Sequence, residues 1–463
     1  MTDIIKEAQG IELPEKTGDQ IARIEKIVPA GYIILPGGVP HKAGKNRDLE
    51  IAGHIDLMTG RWKPVEDPGE VERYAQTTFN ELYEVYKRRI KDKRLTKEAY
   101  EFSLDAAYIL DQVATAIVTG SWRVKGYFPF KVHHPERLIN APYYVDRIVE
   151  QWLIEKYFIP VLTPQIFKYN LACQEGKGPD MTRDILMEDL YQMYEAYGYD
   201  CYIVQYDIKK YFDNISHTFV YHLFAGYGIC SFALYLLWMI LCSYHLTEKD
   251  EECYAARDHA GSGEWYGVPK GNLPSQWTGV MLLNELDIRL NDLVEECIKD
   301  RRYMDDGLCF AADRADARRI LWYIEDFIAK NDMGIRLNDK KTNIYPISRG
   351  INFCGWRYEM DRFGHIKCVE KNTKKREQFH RLDKQYEAYG KGHIPMEKFI
   401  QMRNGTIAYF SKGTEGFSLT HKMLQRYQAF DGEYEVFYKG KMNPLGLRNI
   451  DWDTYPESAG DFW

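Results

Sequence analysis

Two adjacent carboxylates, Asp305 and Asp306, stand between apolar runs in Tyr303-Met304-Asp305-Asp306-Gly307-Leu308-Cys309-Phe310. Such flanks read as two buried strands joined by a tight turn. Two carboxylates at the tip of that hairpin cannot both face the core, and holding them together costs repulsion unless a proton or a cation intervenes. On this segment alone, a surface turn and a divalent-metal site are both open.

A third carboxylate bears on the choice. Asp207 ends the apolar strand Tyr202-Ile203-Val204-Gln205-Tyr206 and opens Asp207-Ile208-Lys209-Lys210-Tyr211-Phe212-Asp213. Hard oxygen ligands from separate strands suit Mg²⁺, which keeps several waters and takes one or two carboxylates per ion together with substrate phosphates. Three aspartates suffice for a two-ion site acting on an in-line phosphoryl displacement. Asp213 has a plainer expected role, capping the helix that starts near Ser216-His217.

Strands and helices alternate irregularly along the chain, which predicts an α+β fold with an antiparallel sheet. Residues 1–72 are rich in Gly and Pro and read as a turn-rich extension; 73–200 carry helices at 74–91 and 97–119, paired strands within 123–139 and a helix over 142–157. Residues 201–370 hold the strand before Asp207, an apolar helical pair over 218–244, helices over 273–293 and 315–330, and short strands near 335–345 and 350–358. A basic helical segment spans 371–440, and 441–463 form a tail. No Asp, Glu, Lys or Arg occurs from Asn214 to Thr247. Gly226, Gly228 and His222 interrupt that run, so it is expected to be a buried core rather than a membrane span.

The charge is uneven. Lys and Arg number 61 against 68 Asp and Glu, a net of −7, which excludes a basic field over the whole molecule. Residues 371–430 nevertheless hold twelve positive and five negative side chains, a local net of +7 that leaves −14 for the remainder. Nucleic-acid contact is therefore expected to be local. Nine cysteines without a Cys-x-x-Cys pair, and no apolar run near Met1, point to reduced thiols in a cytoplasmic protein.

Five segments together carry a family resemblance: Asp207-Ile-Lys-Lys-Tyr-Phe-Asp213, Gly267-Val-Pro-Lys-Gly-Asn-Leu-Pro-Ser-Gln276, Tyr303-Met-Asp-Asp306, Leu337-Asn-Asp-Lys-Lys-Thr342 and Phe353-Cys-Gly-Trp356. Their order and spacing resemble the palm of bacterial reverse transcriptases of the group II intron-like superfamily. The Ser275-Gln276 ending, with His134 to Pro142 and Gln174 to Gly178, is most similar to diversity-generating retroelement enzymes. The resemblance implies a right-hand polymerase architecture: fingers and palm within 73–370 and a helical thumb over 371–440. It also implies RNA-directed DNA synthesis on an RNA template, with a DNA or RNA primer, dNTPs, two Mg²⁺ ions (or Mn²⁺) and a small basic accessory protein, and no membrane.

Roles carried over from the resemblance are as follows. Asp207, Asp305 and Asp306 would hold the metal ions, with the Ile208 carbonyl as a further ligand, and Lys341 would protonate the departing pyrophosphate. Lys131 and Arg137 would neutralise the incoming triphosphate. Phe212 would exclude a ribose 2′-OH, and Lys270, Gly271, Asn272 and Gln276 would lie near the nascent base pair. Tyr303, Phe353, Gly355 and Trp356 would contact primer and template. Lys270 and Cys354 depart from the usual pattern, where Gln or an apolar residue and Leu are common. Two other readings remain open: a stand-alone or phage-defence enzyme copying a dedicated non-coding RNA, and a catalytically degenerate RNA-binding module.

Overall fold

The computed structural model describes residues 32–35, 39–42, 61–91, 96–133, 136–293, 297–361, 363–430 and 433. Most of the 1–72 extension and all of the 441–463 tail lie outside the described residues. The chain divides into two units, one of residues 1–175 and 202–345 and one of residues 176–201 and 346–463.

In the first unit, β1 (Tyr32–Leu35) and β2 (Val39–Lys42) form an antiparallel hairpin. Helix α1 (Pro68–Ile90) starts where the Asp67 carboxylate accepts the Glu70 N–H, with Pro68 at the first helical position, where its missing donor costs nothing. Its buried face, including Leu82 and Val85, packs on the second of two short helices, α2 (Lys97–Leu104) and α3 (Ala106–Val118). One helix was expected over 97–119; it breaks at Asp105. Strands β3 (Tyr127–His133) and β4 (Glu136–Pro142) pair antiparallel, and α4 (Tyr144–Leu153) continues into a π-helical turn over Ile154–Phe158. Next along the chain, α5 (Pro179–Tyr197) belongs to the second unit.

The first unit is centred on a four-stranded sheet in the order β6-β7-β5-β8, made from β5 (Tyr202–Asp207), β6 (Lys299–Tyr303), β7 (Asp306–Ala311) and β8 (Asn343–Pro346). β7 runs antiparallel to both β5 and β6. Burial of Ile203, Val204, Leu308, Cys309 and Phe310 on both faces explains the continuous apolar runs around the aspartates. Between β5 and β6 come α6 (His217–Gly226), α7 (Ser231–Cys242), α8 (Leu273–Met281) and α9 (Asn284–Asp292). The charge-free stretch is core: α7 has twelve residues, and no described helix is long and apolar enough to cross a membrane. Helix α10 (Arg314–Lys330) packs against β5 and β7.

The second unit combines α5 with a three-stranded sheet, β9 (Ile351–Phe353), β10 (Trp356–Met360) and β11 (Ile366–Glu370), and the helices α11 (Asn372–Gly390), α12 (Met396–Phe410) and α13 (Gly416–Arg426). The helices enclose their own core of Leu382, Phe399, Ile407, Phe410, Met423 and Tyr427. Both units mix helices with antiparallel strands, consistent with the α+β expectation.

Candidate active site

Strand register brings the three aspartates to one end of the central sheet. Asp207 lies opposite Asp306 across the β5–β7 pair, Tyr303 lies opposite Asp306 from β6, and Asp305 occupies the intervening turn. The turn is tight. Met304 takes a left-handed φ of 58°, and the Ile208 N–H donates to the Asp305 carbonyl at 3.2 Å. Gly307 lets the hairpin close onto β5, since a Cβ there would stand 1.9 Å from the Tyr206 ring.

Asp207 is buried, and both its carboxylate oxygens are engaged: Oδ1 accepts from Asn338 Nδ2 and Oδ2 from Lys341 Nζ, each at 2.7 Å. The Asn338 N–H also donates to the Asp207 carbonyl. Burial, followed by the charges of Asp305 and Asp207, pushes the Asp306 carboxyl up to about 7, while Lys341 pulls it back. Hydrogen bonding to Asp207 raises Lys341 and keeps it protonated. Three carboxylates thus share one ammonium, a donor set that fits hard divalent cations. Among the described residues, no three His, Cys, Asp or Glu side chains form a ready-made metal cluster.

Phe212 is half-buried above Gly279. A Cβ on Gly279 would meet the Phe212 ring at 3.1 Å and Met304 Cε at 3.3 Å, so the glycine leaves room for both side chains beside the aspartate turn. Lys270 does not extend alone: its Nζ donates to the buried Asp213 carboxylate at 2.6 Å, and its carbonyl accepts the Asn140 N–H of β4. Ser216 caps α6, accepting from the Phe219 N–H; the Asp213 carboxylate expected there pairs with Lys270 instead. Gly271, at a φ of 115°, sits against β4, where a Cβ would come 2.7 Å from Ile139 Cγ2. Asn272 is buried, caps α8 by accepting from the Ser275 N–H, and donates to Glu150 at 3.2 Å. Gln276 is half-buried one turn further on. Lys131 is exposed on β3, and the Arg137 side chain lies outside the described residues.

Phe353, Gly355 and Trp356 belong to the second unit. Cys354 and Gly355, at φ of 45° and 86°, form the two-residue turn between β9 and β10. Trp356 is buried, stacks on Tyr409 at 5.7 Å and closes over Gly413, so packing accounts for its position within that unit. No sequence signal marks Asn338, Glu150 or the buried pair Arg302–Asp287 as part of the site; Asn338 lies within Leu337–Thr342, but its bond to Asp207 comes from tertiary structure.

Convergent aspartates at the end of an apolar sheet, beside a lysine, form an arrangement that suits metal-assisted phosphoryl chemistry. Residues 131–358 match the family model described as reverse transcriptase (RNA-dependent DNA polymerase). The chain therefore carries a reverse transcriptase domain and is an RNA-directed DNA polymerase. No curated protein matches the chain.

Proposed function

We propose that the protein copies an RNA template into cDNA with two Mg²⁺ ions, and that it serves a diversity-generating retroelement with a basic accessory protein. The observation that carries the catalytic reading is the register that sets Asp207 against Asp306, with Asp305 in the adjoining turn. Bound divalent ions would neutralise these carboxylates and stabilise the attacking and leaving oxygens. Asp207, Asp305, Asp306 and the Ile208 carbonyl would hold them. Lys341, whose ammonium donates to Asp207, would supply a proton to pyrophosphate. Lys131 and Arg137 on the β3–β4 hairpin would meet the triphosphate. Gly271, Asn272 and Gln276 would support the base pair through the turn docked on β4.

Lys270 enters this reading as the partner of Asp213, so it would stiffen the turn rather than place a loose cation on the nucleotide. Tyr303 would face the primer terminus. Phe353, Gly355 and Trp356 would form a primer contact whose backbone is fixed by the β9–β10 turn. The Ser275-Gln276 ending supports the retroelement assignment, which requires a nearby pair of near-repeats differing mainly at template adenines; a genome without such a pair contradicts it.

Phe212 supplies a biochemical test. Its ring lies over Gly279, whose missing Cβ leaves the space that Phe212 and Met304 share beside the aspartate turn. Phe212→Ala should raise the ratio of ribonucleotide to deoxynucleotide incorporation at least about tenfold, the scale of one lost steric contact. An unchanged ratio removes Phe212 from sugar selection.

A further inference from the structure

Arg302 stands one residue before Tyr303 in a strand that begins Lys299-Asp300-Arg301, a run that reads as solvent-facing. It is instead fully buried, at 0% exposure, against an equally buried Asp287 from α9. Its five N–H donors all find acceptors. Nε lies 2.8 and 2.9 Å from the two Asp287 oxygens, and Nη2 donates to Asp287 Oδ2 and the Val280 carbonyl, both at 2.7 Å. Nη1 donates to the Gly279 carbonyl at 3.3 Å and the Met304 carbonyl at 2.9 Å.

These acceptors explain the arrangement. Gly279 and Val280 close α8, where the last carbonyls lack intrahelical donors and the helix dipole favours a cation. Asp287 supplies the compensating charge that a buried guanidinium requires. Met304 holds the left-handed position in the aspartate turn, and its carbonyl is the one acceptor in the set that belongs to the hairpin. Tyr211 Oη adds a second donor to the Gly279 carbonyl at 3.0 Å. One planar group therefore ties the turn carrying Asp305 to the end of α8 against which Phe212 and Met304 pack.

We propose that the Arg302–Asp287 pair is a positioning device for polymerisation: through the Met304 carbonyl it fixes the height of the Asp305–Asp306 turn relative to Asp207 and to the α8 surface beside Phe212. The inference rests on the assignment of catalysis to the three aspartates. A lysine at 302 would offer three donors from one point and could not reach both Asp287 and the turn in the same geometry. Neither residue is placed to touch substrate, so the pair acts through the turn.

The test compares Arg302→Met/Asp287→Leu, Arg302→Lys and Asp305→Ala/Asp306→Ala with the parent, measuring Tm, primer–template affinity, and kcat and KM for dTTP on poly(rA)·oligo(dT). Replacing a buried ion pair by apolar side chains of similar volume is commonly neutral for folding. The double apolar variant takes the arginine donor from the Met304 carbonyl, so its Tm is expected to fall by a few degrees with template affinity unchanged, while kcat falls about 100-fold, the scale of a 1 Å misplacement of reacting groups. A folded double variant with parental kcat overturns the proposal. Should that variant not fold, Arg302→Lys decides: kcat reduced at least about tenfold with template affinity retained supports positioning, and parental kcat refutes it. Parental incorporation by Asp305→Ala/Asp306→Ala would instead remove the catalytic assignment beneath the inference, a failure separate from that of the arginine variants.

Discussion

Glu150 shows how a single carboxyl can support the turn that leads into α8 from below. It is buried on α4 at 1% exposure and accepts a hydrogen bond from Asn272, the residue that caps α8. Burial is the main cause that lifts its carboxyl from an ordinary 4.5 to about 8, with Asp146 adding repulsion and Asn272, Leu273 and Arg147 opposing. The folded protein thus keeps a proton that the unfolded chain releases between pH 4.5 and 8, so this group makes stability fall as pH rises through that window. Below 4.5 both states are protonated and the effect vanishes. Glu150→Gln preserves the acceptor and removes the ionisation. Its Tm should gain on the parent steadily from pH 5 to pH 8, by several degrees at the upper end; parallel Tm curves would show that Glu150 ionises without penalty. Asp305 and Asp306 were legible because apolar flanks made their position costly. Glu150 was not, since a glutamate on an amphipathic helix reads as solvated until its neighbours are known.

At the level of elements, periodicity located most helices and strands but misjudged where they end and which polar residues they bury. The helix expected over 273–293 is two, α8 and α9, broken at Leu282-Leu283 without Gly or Pro to announce it. Periodicity does not announce helix α5: Leu186, Leu190 and Met193 are buried on it, but Met181, Tyr191 and Tyr197 are exposed, and this mixture blurs the apolar stripe. The basic helices hold a similar surprise. Arg403, counted in the sequence as part of a positive surface, is buried on α12, where it makes two 2.8 Å hydrogen bonds to the buried Glu433 and a third to the Tyr427 carbonyl. Arg403→Ala leaves Glu433 uncompensated and should cost about 3–5 kcal/mol of stability. Thermal unfolding of the variant measures this directly; an unchanged Tm would mean that the pair contributes no net stabilisation.

For the whole molecule, the net charge of −7 is an average over unlike parts. The segment with a local net of +7 has half of its cations engaged by carboxylates within it or beyond it: Lys374, Lys375, Lys391, Arg403, Lys412 and Arg426 all form ion pairs. Among the described residues, Lys371, Arg376, Arg381, Lys384, Lys398 and Lys422 take no part in these pairs. The cationic surface available to phosphates is thus smaller than composition implies, which gives the proposed basic partner a physical reason to exist. The order of motifs was legible in the sequence because catalysis needs particular residue types at particular strand ends. The support beneath them, Arg302 with Asp287, Asn272 with Glu150 and Asn338 with Asp207, was not, because tertiary contacts alone decide which polar residues are buried.

The claim on which the rest depends is that Asp207, Asp305 and Asp306 act together in RNA-directed DNA synthesis. Its most direct measurement is Mg²⁺-dependent dTTP incorporation on poly(rA)·oligo(dT) by the parent and by Asp306→Asn, which keeps the side-chain shape but removes the charge. Incorporation should require the divalent ion in the parent and fall at least about 1,000-fold in the variant, with the Tm unchanged or raised because a repelled, partly buried carboxylate has been neutralised. Equal incorporation by parent and variant would contradict the assignment.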